Sequence, residues 1–412
     1  MTAMIIFFFI LFFIDLYVFQ PFRILLKKLN GKWQKIASIV YWAIPFSILI
    51  LAIFYQFDWT FLTSRRIRGA MMALGFVNYV PKLFTTLFLL ATDTLGILQW
   101  TFKKFVARRE KRQFAGKPIK RSEFISKMAV ASAGIPFALM GFGIVKGAHD
   151  YEVRRRKIVL PNLPKAFHGV KLAQISDIHS GSFFNKTAVK GGVDLLLQEK
   201  PDIAFFTGDL VNNETRELNQ YFDIFNKVEA PLGVYSVTGN HDYGMYSKWP
   251  SKEAKDKNFR DFIEAHKRLG YDLLLNEHRK IIVDGESIAV LGVENWGTGR
   301  FPKFGKLDKA LQGTEEFPVK ILMSHDPSHW DAQVKGKTDI DLMLAGHTHG
   351  MQFGVEIGDF RWSPIKYGYK QWADLYQEQE QYLYVNRGYG YLGYPGRVGI
   401  TPEITIIELL RA

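Results

Sequence analysis

The sequence predicts a mixed α/β domain that follows an N-terminal region of transmembrane helices. Long apolar runs fill the first 150 residues, and short runs of β-branched or aromatic residues separated by Gly, Asn and Asp follow from Ile158 onward. Helical stretches lie between the first of these short runs, which is typical of an α/β fold. We therefore expect a membrane region at residues 1–150 and an α/β domain at residues 151–412.

The composition excludes several classes of protein. Of the 412 residues 48% are hydrophobic, so the chain is not disordered. The absence of cysteine excludes a disulfide framework, thiolate metal sites and a cysteine nucleophile. The net charge of +13 would suggest nucleic acid or an anionic membrane as a partner. However, residues 1–157 hold 24 Lys and Arg against 7 Asp and Glu, whereas residues 158–412 hold 29 against 33, so we expect no nucleic acid partner for the α/β domain.

Four apolar segments are long enough to cross a bilayer, which takes about 20 helical residues. Three of them are Met4–Gln20, Ile36–Phe57 and Met128–Val145. The fourth, Gly69–Phe102, is longer, and we interpret it as one tilted helix preceded by an interfacial segment, with two short passes as the alternative. Asp15 and Asp93, which lie within apolar runs, are expected to pair inside the helix bundle.

The connecting segments indicate the orientation of the chain in an inner or plasma membrane. Five basic residues lie in segment 23–35 and nine in segment 103–121, but only three in segment 65–68. The positive-inside rule then places both termini and the α/β domain outside the cytoplasm. Two passes at Gly69–Phe102 would reverse this side. The basic run Arg154–Lys157 after the last span is a counter-signal, and it could instead lie on anionic headgroups.

The α/β domain contains eight predicted strands and three predicted helices. The strands are Val170–Ser176, Ile203–Thr207, Val234–Thr238, Ile288–Val293, Val319–Met323, Asp341–Ala345, Tyr382–Asn386 and Ile404–Glu408. The helices are Ala188–Glu199, Leu218–Val228 and Asn258–Leu269.

Polar residues follow five of these strands directly. They are Asp177 and His179, then Asp209, then Asn240, His241 and Asp242, then His325, and finally His347 and His349. Open α/β sheets place their ligand sites at the carboxyl ends of the strands. Oxygen and imidazole ligands without sulfur suit two divalent ions of the Mn, Fe or Zn type.

The ordered motifs resemble those of the calcineurin-like metallophosphoesterase superfamily, over about Val170 to Leu410. The tail Asn386–Gly390, with Pro395, Arg397 and Pro402–Ile404, resembles the membrane-anchored branch that includes YkuE, YaeI and the alternative UDP-2,3-diacylglucosamine hydrolases. This resemblance implies a four-layer αββα sandwich.

The resemblance also implies a role for each motif residue. One metal ion would be held by Asp177, His179, Asp209 and His349, and the second by Asp209, Asn240, His325 and His347. Asp209 would bridge the two ions, and a hydroxide between them would attack phosphorus in line. His241 would be the general acid for the leaving oxygen or a positive stabiliser of the transition state. Asn212 stands where the family often has an aspartate that orients this histidine.

Weaker signals lie outside the motifs. Asn295 is expected to line the substrate cleft, and Arg387 and Arg397 are expected to hold a phosphate or diphosphate group, with salt bridges to neighbouring acids as the alternative. His149, His168, His266 and His278 have no partner pattern and are predicted to lie at the surface.

The sequence thus predicts a membrane-anchored, metal-dependent phosphoesterase. Its substrate would be a phosphodiester or diphosphate, either a lipid-like molecule or a small molecule near the bilayer. The alternatives are a cytoplasm-facing UDP-2,3-diacylglucosamine hydrolase of lipid A synthesis and a membrane sensor or scaffold whose phosphoesterase domain only binds.

Overall fold

A computed structural model describes residues 2–56, 65–106 and 121–412 of the chain. The described residues form two compact units, Met1–Phe142 and Gly143–Ala412. The first unit is helical, and the second contains the sheets. Most of the basic segment 103–121, on which the predicted orientation depends, lies outside the described residues.

Apolar helices make up the first unit. They are α1 (Thr2–Leu26), α2 (Gly31–Gln56), α3 (Arg65–Val106) and α4 (Arg121–Val145). Within the described residues, four segments have the length and composition to cross a membrane: Ile5–Leu26, Gly31–Phe54, Gly69–Phe102 and Ser122–His149. Because α3 is one continuous helix of 42 residues, the two-pass alternative for Gly69–Phe102 is wrong.

Both acids within the apolar runs have partners, but only Asp15 is buried inside the bundle as predicted, and Asp93 is exposed. Lys82 Nζ lies 2.6 Å from Asp15 Oδ1, and both side chains are buried. The hydroxyl of Tyr79 donates to the other oxygen of Asp15 at 3.1 Å. Tyr17 donates to Asp93 at 2.6 Å. These contacts connect α1 with α3 and offset the cost of placing charge in an apolar bundle.

Two six-stranded sheets form the second unit. Its strands are β1 (Glu152–Leu160), β2 (Lys171–Ile175), β3 (Ile203–Phe206), β4 (Val234–Ser236), β5 (Asp272–Leu273), β6 (Glu277–Val283), β7 (Glu286–Gly292), β8 (Lys320–Met323), β9 (Leu342–Ala345), β10 (Val355–Ile357), β11 (Phe360–Trp362), β12 (Asp374–Glu378), β13 (Gln381–Val385) and β14 (Glu403–Arg411). One sheet has the order β1-β14-β2-β3-β4-β5, and the other β12-β13-β9-β8-β7-β6. Strands β10 and β11 form a separate hairpin.

Helices cover the outer faces of both sheets. They are α5 (Lys186–Gln198), α6 (Phe222–Phe225), α7 (Lys252–Leu269) and α8 (Leu307–Leu311). Residues of α5, α6 and α7 pack on the first sheet, and residues of α8 pack on the second. A third apolar cluster, with members such as Phe205 and Ile321, fills the space between the sheets. The predicted α/β class and its four layers are confirmed.

The β-strands that carry the motifs lie within one or two residues of their predicted positions. The predicted helix Leu218–Val228 is wrong as one element, because the chain forms a 3-10 turn at Thr215–Gln220 followed by the single turn α6. Helix α7 begins six residues before the prediction, where the Ser251 hydroxyl caps its first turn by accepting the Ala254 N–H. His266 was predicted at the surface, but it is fully buried on the inner face of α7.

The basic run Arg154–Lys157 forms part of β1, which the sequence did not predict. Each of its four side chains has an acidic partner in the same unit: Glu356, Glu199, Asp374 and Glu408 in chain order. The positive charge of this run is therefore balanced within the α/β domain.

Candidate metal centre

Loops at the carboxyl ends of parallel strands bring the predicted ligands together. Strands β2, β3 and β4 are neighbours in the first sheet, and β8 and β9 are neighbours in the second. The polar residues follow these strands directly, so they meet at the edge of the two sheets formed by the carboxyl ends of the parallel strands. The backbone N–H of His179 donates to the Asp209 carbonyl at 3.0 Å, and that of Gly346 donates to the His325 carbonyl at 2.9 Å.

Five of the seven predicted ligands have backbones in the left-handed region that side chains rarely adopt. Their φ angles are 51° for Asp177, 47° for His179, 59° for Asp209, 70° for His347 and 51° for His349. Each such residue costs on the order of 1–3 kcal/mol and persists only where the surroundings enforce it. This concentration of strain marks the loops as a functional site.

Glycines allow these loops to approach one another closely. A Cβ atom on Gly346 would lie 2.2 Å from Asp177 Oδ2, and one on Gly239 would lie 2.1 Å from Asp209 Oδ1. Both positions therefore require glycine for steric reasons.

The first ligand group consists of Asp177, His179 and His349. His349 Nε2 lies 3.2 Å from Asp177 Oδ1 and 3.0 Å from His179 Nε2. All three side chains are buried, and their ligand atoms lie within 4.8 Å of one another. Two imidazole nitrogens that face each other at this distance need a proton or a cation between them.

The second ligand group consists of Asp209, His325 and His347. His325 Nε2 lies 3.3 Å from Asp209 Oδ2 and 3.3 Å from His347 Nδ1. The same Asp209 oxygen lies 3.5 Å from His179 Nε2 in the first group. Asp209 Oδ2 thus stands between the two groups, where a bridging ligand would be.

Asp242 holds the Asp209 loop in place. Its buried carboxyl group accepts four backbone N–H groups, from Asp209, Leu210, Val211 and Gly239, at 2.8 to 3.3 Å. Asp209 Oδ1 accepts the backbone N–H of His241 at 2.9 Å, which leaves Oδ2 directed toward the histidines. Asp242 therefore orients the loop that carries Asp209.

Hydrogen bonds on the far side of the rings orient the histidines. His325 Nδ1 lies 2.7 Å from the Thr207 carbonyl, so this nitrogen carries a proton and Nε2 is the nitrogen directed to the site. His347 is held in the same way, with Nε2 2.8 Å from the Tyr369 hydroxyl and Nδ1 toward the site. His241 Nδ1 lies 2.7 Å from the Asn212 backbone carbonyl. Asn212 thus orients His241 through its backbone, in place of the side-chain carboxylate that is often found at this position.

The cluster attracts positive charge. Burial disfavours the charged form of His325, but the carboxylates of Asp209 and Asp177 outweigh it and raise its pKa to about 10. Burial works against both carboxylates as well, yet the neighbouring histidines hold the pKa of Asp177 and Asp209 well below the usual range. Burial lowers the pKa of His179 and His347, which keeps these rings neutral, as metal ligands must be.

The donor set fits two divalent ions. Three donors surround each position, and Asp209 Oδ2 faces both. Within the described part of the chain, the buried Oδ1 atom of Asn240 has no hydrogen-bond partner, although its amide nitrogen lies 2.9 Å from the Tyr246 hydroxyl. An orphaned buried carbonyl oxygen next to such a cluster is the state expected of a metal ligand. Oxygen and nitrogen donors without sulfur suit ions of the Mn, Fe or Zn type.

The two groups open into a cleft of about 390 Å³. Its lining combines the polar residues with apolar or aromatic side chains, which are Phe301, Ile365, Tyr369, Leu392 and Tyr246. Tyr369 also approaches Asp326, with its hydroxyl 3.3 Å from the carboxylate. No sequence motif marks Tyr369, which lies 22 residues from its partner His347.

The residues predicted to bind substrate, Asn295, Arg387 and Arg397, are not among those that line the cleft. The guanidinium of Arg387 is buried and contacts the carboxylates of Glu403, Glu356 and Asp374 at 2.7 to 3.4 Å. Burial opposes its charge, but these acids raise the pKa of Arg387 far above its ordinary value. The salt-bridge alternative therefore describes Arg387, and its assignment to substrate does not fit the structure.

Arg397 and Asn295 also have internal partners. Arg397 is buried and donates to the carbonyls of Gly390, Arg387 and Gly388. One of its terminal nitrogens lies 3.4 Å from His349 Nδ1, so the side chain supports a ligand from behind. Asn295 is buried, and its side-chain amide donates to the Pro302 carbonyl at 2.8 Å. The backbone carbonyl of Asn295 accepts two backbone N–H groups. It fixes the segment that carries Phe301, and it does not line the cleft.

Two family models match the chain. One, described as "Probable Calcineurin-like phosphoesterase, transmembrane domain", matches residues 1–148, and the other, "Calcineurin-like phosphoesterase", matches residues 170–351. A "Transmembrane protein with metallophosphoesterase domain" of Danio rerio is 30% identical over 69% of this chain and 63% of its own length, so the chain spans less than two thirds of that relative.

Bacterial relatives match over more of their own length. The "Uncharacterized metallophosphoesterase YkuE" of Bacillus subtilis is 29% identical over 71% of this chain and 98% of its own length. The "Phosphodiesterase YaeI" of Escherichia coli is 25% identical over 58% of this chain and 82% of its own length. The chain thus contains a calcineurin-like phosphoesterase domain, matched at residues 170–351 and carrying both ligand groups, and an N-terminal region matched by the transmembrane model at residues 1–148.

Proposed function

We propose that this protein is a membrane-anchored phosphoesterase that hydrolyses a phosphodiester or diphosphate bond in a lipid-linked or membrane-proximal substrate. The membrane region would be residues 1–150 and the catalytic domain residues 151–412. The observation that carries the proposal is the meeting of two ligand groups at Asp209 Oδ2. The relative named a phosphodiesterase supports the choice of bond.

Seven residues would hold the metal ions. Asp177, His179, Asp209 and His349 would hold one, and Asp209, Asn240, His325 and His347 the other. Two divalent ions bound there would supply a water nucleophile of lowered pKa and positive charge opposite the phosphoryl oxygens. The carboxylates would keep the ions close together, and the neutral Asn240 would limit the negative charge that an anionic substrate meets.

His241 would supply the proton for the leaving oxygen. The Asn212 carbonyl fixes the proton of the neutral ring on Nδ1 and holds the ring at the cleft, so that Nε2 is the nitrogen that can carry and release the transferred proton. The Tyr246 ring, centred 4.5 Å from that of His241, restricts the imidazole further. A side chain in this position acts as a general acid when the substrate carries a poor leaving group.

The catalytic domain is proposed to lie outside the cytoplasm. A single pass through α3 supports a count of four spans in the described residues, and an even number of spans would put both ends of the membrane region on one side. The basic segments 23–35 and 103–121 connect the spans on the other side, and the positive-inside rule favours the cytoplasm for that side. A reporter fused to the C-terminus should be active outside the cytoplasm. A C-terminus accessible only from the cytoplasm would favour the UDP-2,3-diacylglucosamine hydrolase instead.

The direct test of the activity uses Asp209. The full-length protein should hydrolyse bis-p-nitrophenyl phosphate with Mn²⁺, and a chelator should remove the activity. Asp209→Asn should abolish turnover and lower the amount of bound metal measured by elemental analysis. Asp223→Asn is the matched control, because Asp223 is an exposed carboxylate that pairs only with surface Lys186 among its described partners. Unchanged turnover in Asp209→Asn would refute the proposal.

A further inference from the structure

The hairpin formed by β10 and β11 has an unusual distribution of side chains. Strand residues that lie opposite one another are Val355 with Trp362, Glu356 with Arg361, and Ile357 with Phe360. Opposed residues of an antiparallel pair point to the same side, and successive residues point to opposite sides. One face of the hairpin is therefore wholly apolar, and the other carries the two charges.

The charged face is directed toward the domain. Glu356 accepts from Arg154 at 2.6 Å and from the buried Arg387 at 2.7 Å, and Arg361 lies 3.1 Å from Asp374. The apolar face is consequently directed outward. Ile357 is 73% exposed and Phe360 62% exposed, so this arrangement is the reverse of a hairpin that faces water.

Neighbouring residues extend this apolar face. Met351, which precedes the hairpin, and Tyr367, which follows it, are 55% and 77% exposed. We call the surface formed by Met351, Val355, Ile357, Phe360 and Tyr367 the hairpin patch. A group of exposed apolar side chains of this kind marks a binding site for an apolar partner.

The position of the hairpin in the chain identifies that partner. Residues Gly143–His149, which end the fourth apolar segment, belong to the same compact unit as the hairpin. The Gly143 carbonyl accepts the Arg397 N–H at 3.1 Å, and the next residue, Val398, accepts the Gly354 N–H at 2.9 Å. The hairpin begins at the residue after Gly354. Two backbone hydrogen bonds, through Arg397 and Val398, therefore connect Gly354 at the start of the hairpin with Gly143 near the end of the fourth apolar segment.

We propose that the hairpin patch lies in the interfacial layer of the bilayer that the chain spans. A lipid surface accounts for the outward apolar side chains. Lys366 Nζ lies above the exposed ring of Tyr367, 5.5 Å from its centre. A lipid surface also accounts for this pair, because aromatic and basic side chains are enriched at the membrane–water boundary. The ion pairs of Glu356 and Arg361 hold the rigid inner face of the hairpin on the domain.

The patch also adjoins the metal centre. Met351 lies two residues after His349, and the segment that follows the hairpin supplies Ile365 and Tyr369 to the cleft. Resting on the proposed function, this arrangement indicates a substrate whose apolar part stays in the bilayer while its phosphate enters the cleft.

The absence of cysteine makes the test direct, because each single-cysteine variant carries one label. Ile357→Cys, labelled with a polarity-sensitive fluorophore, is reconstituted as the full-length protein in lipid vesicles. Ile282→Cys is the matched control: Ile282 is 57% exposed and lies on β6, at the far edge of its sheet from β12. We expect lipids brominated in the acyl chains to quench the label at 357 and not at 282, and aqueous iodide to do the reverse.

Two results would overturn the proposal. Quenching at 357 by iodide alone would place the patch in water, and protection from both quenchers would indicate a protein partner. The labelling experiment does not depend on catalysis, so it stands even if the proposed activity fails. For the substrate class, Ile357→Ser with Phe360→Ser should lower the ratio of turnover of a vesicle-embedded phosphodiester to that of bis-p-nitrophenyl phosphate. An unchanged ratio would contradict an amphiphilic substrate.

Discussion

Replacing Asp242 tests whether the buried carboxyl group of this residue holds the loops of the candidate metal centre in place. Asp242 is fully buried, and its two oxygens accept four backbone N–H groups. In Asp242→Asn the amide nitrogen cannot accept a hydrogen bond, so two of these four N–H groups lose their partner. The substitution preserves the size of the side chain, which excludes a cavity as the cause of any effect.

The expected effect follows from the number of N–H groups that lose an acceptor. Each buried donor left without a partner costs roughly 1–3 kcal/mol, so the loss should be about 4 kcal/mol. For domains of 150–250 residues, each kcal/mol lowers the melting temperature by about 2–4 °C, which predicts a decrease of about 8 °C or more.

Thermal unfolding of the detergent-solubilised full-length protein, followed by near-ultraviolet circular dichroism, measures this decrease. Asp223→Asn serves again as the control and should leave the melting temperature unchanged, because Asp223 is exposed. Bound metal should also fall in Asp242→Asn, since Asp209 lies on the loop that Asp242 holds. A melting temperature within about 2 °C of the wild type would refute the role assigned to Asp242.

Two further predictions concern histidines. His241→Gln should reduce hydrolysis of alkyl phosphodiesters by about 100-fold or more, as expected for loss of a general acid. It should affect p-nitrophenyl esters far less, because their leaving group needs no proton, so equal losses for both substrates would contradict the assignment. Burial lowers the pKa of His266 to about 4, and Nε2 of this ring has no partner in the described part of the chain. The unfolded chain binds this proton near pH 6.5, so the native state should lose up to about 3 kcal/mol as the pH falls from 6.5 to 4. His266→Gln should flatten the acid side of the stability profile, measured as the melting temperature from pH 7.5 to 4.5, and an unchanged slope would show that His266 is not responsible.

The sequence was sufficient to predict the positions of the ligand loops because their signals are local. Each ligand follows a short apolar strand directly, and the carboxyl ends of neighbouring parallel strands meet in space. Asp209 illustrates this, since β3 ends three residues before it and the glycine between them allows the sharp turn. The seven ligand positions could therefore be proposed without knowledge of the strand order.

Residues whose partners are distant in the chain were interpreted less well. Arg156 pairs with Asp374, which is 218 residues away, so the run around it resembled a membrane-flanking basic segment. Arg387 was assigned to a phosphate because the sequence does not show that Glu356 and Glu403 converge on it. His266 was placed at the surface because the sequence does not show that this face of α7 packs inward, where the ring lies 6.3 Å from that of Phe206 on β3.

These long-range ion pairs connect the hairpin patch with the metal centre. Glu356 on the inner face of the hairpin contacts Arg387, and the backbone carbonyl of Arg387 accepts the guanidinium of Arg397 at 2.8 Å. Arg397 in turn lies beside His349, a ligand of the first group. The two arginines between the hairpin and the ligand are buried, and charged partners or carbonyls accept their hydrogen bonds. The hairpin therefore cannot move away from the domain without exposing charge inside it. The surface that we place in the bilayer and the cleft that would bind the phosphate are thus held in a fixed relation within one compact unit.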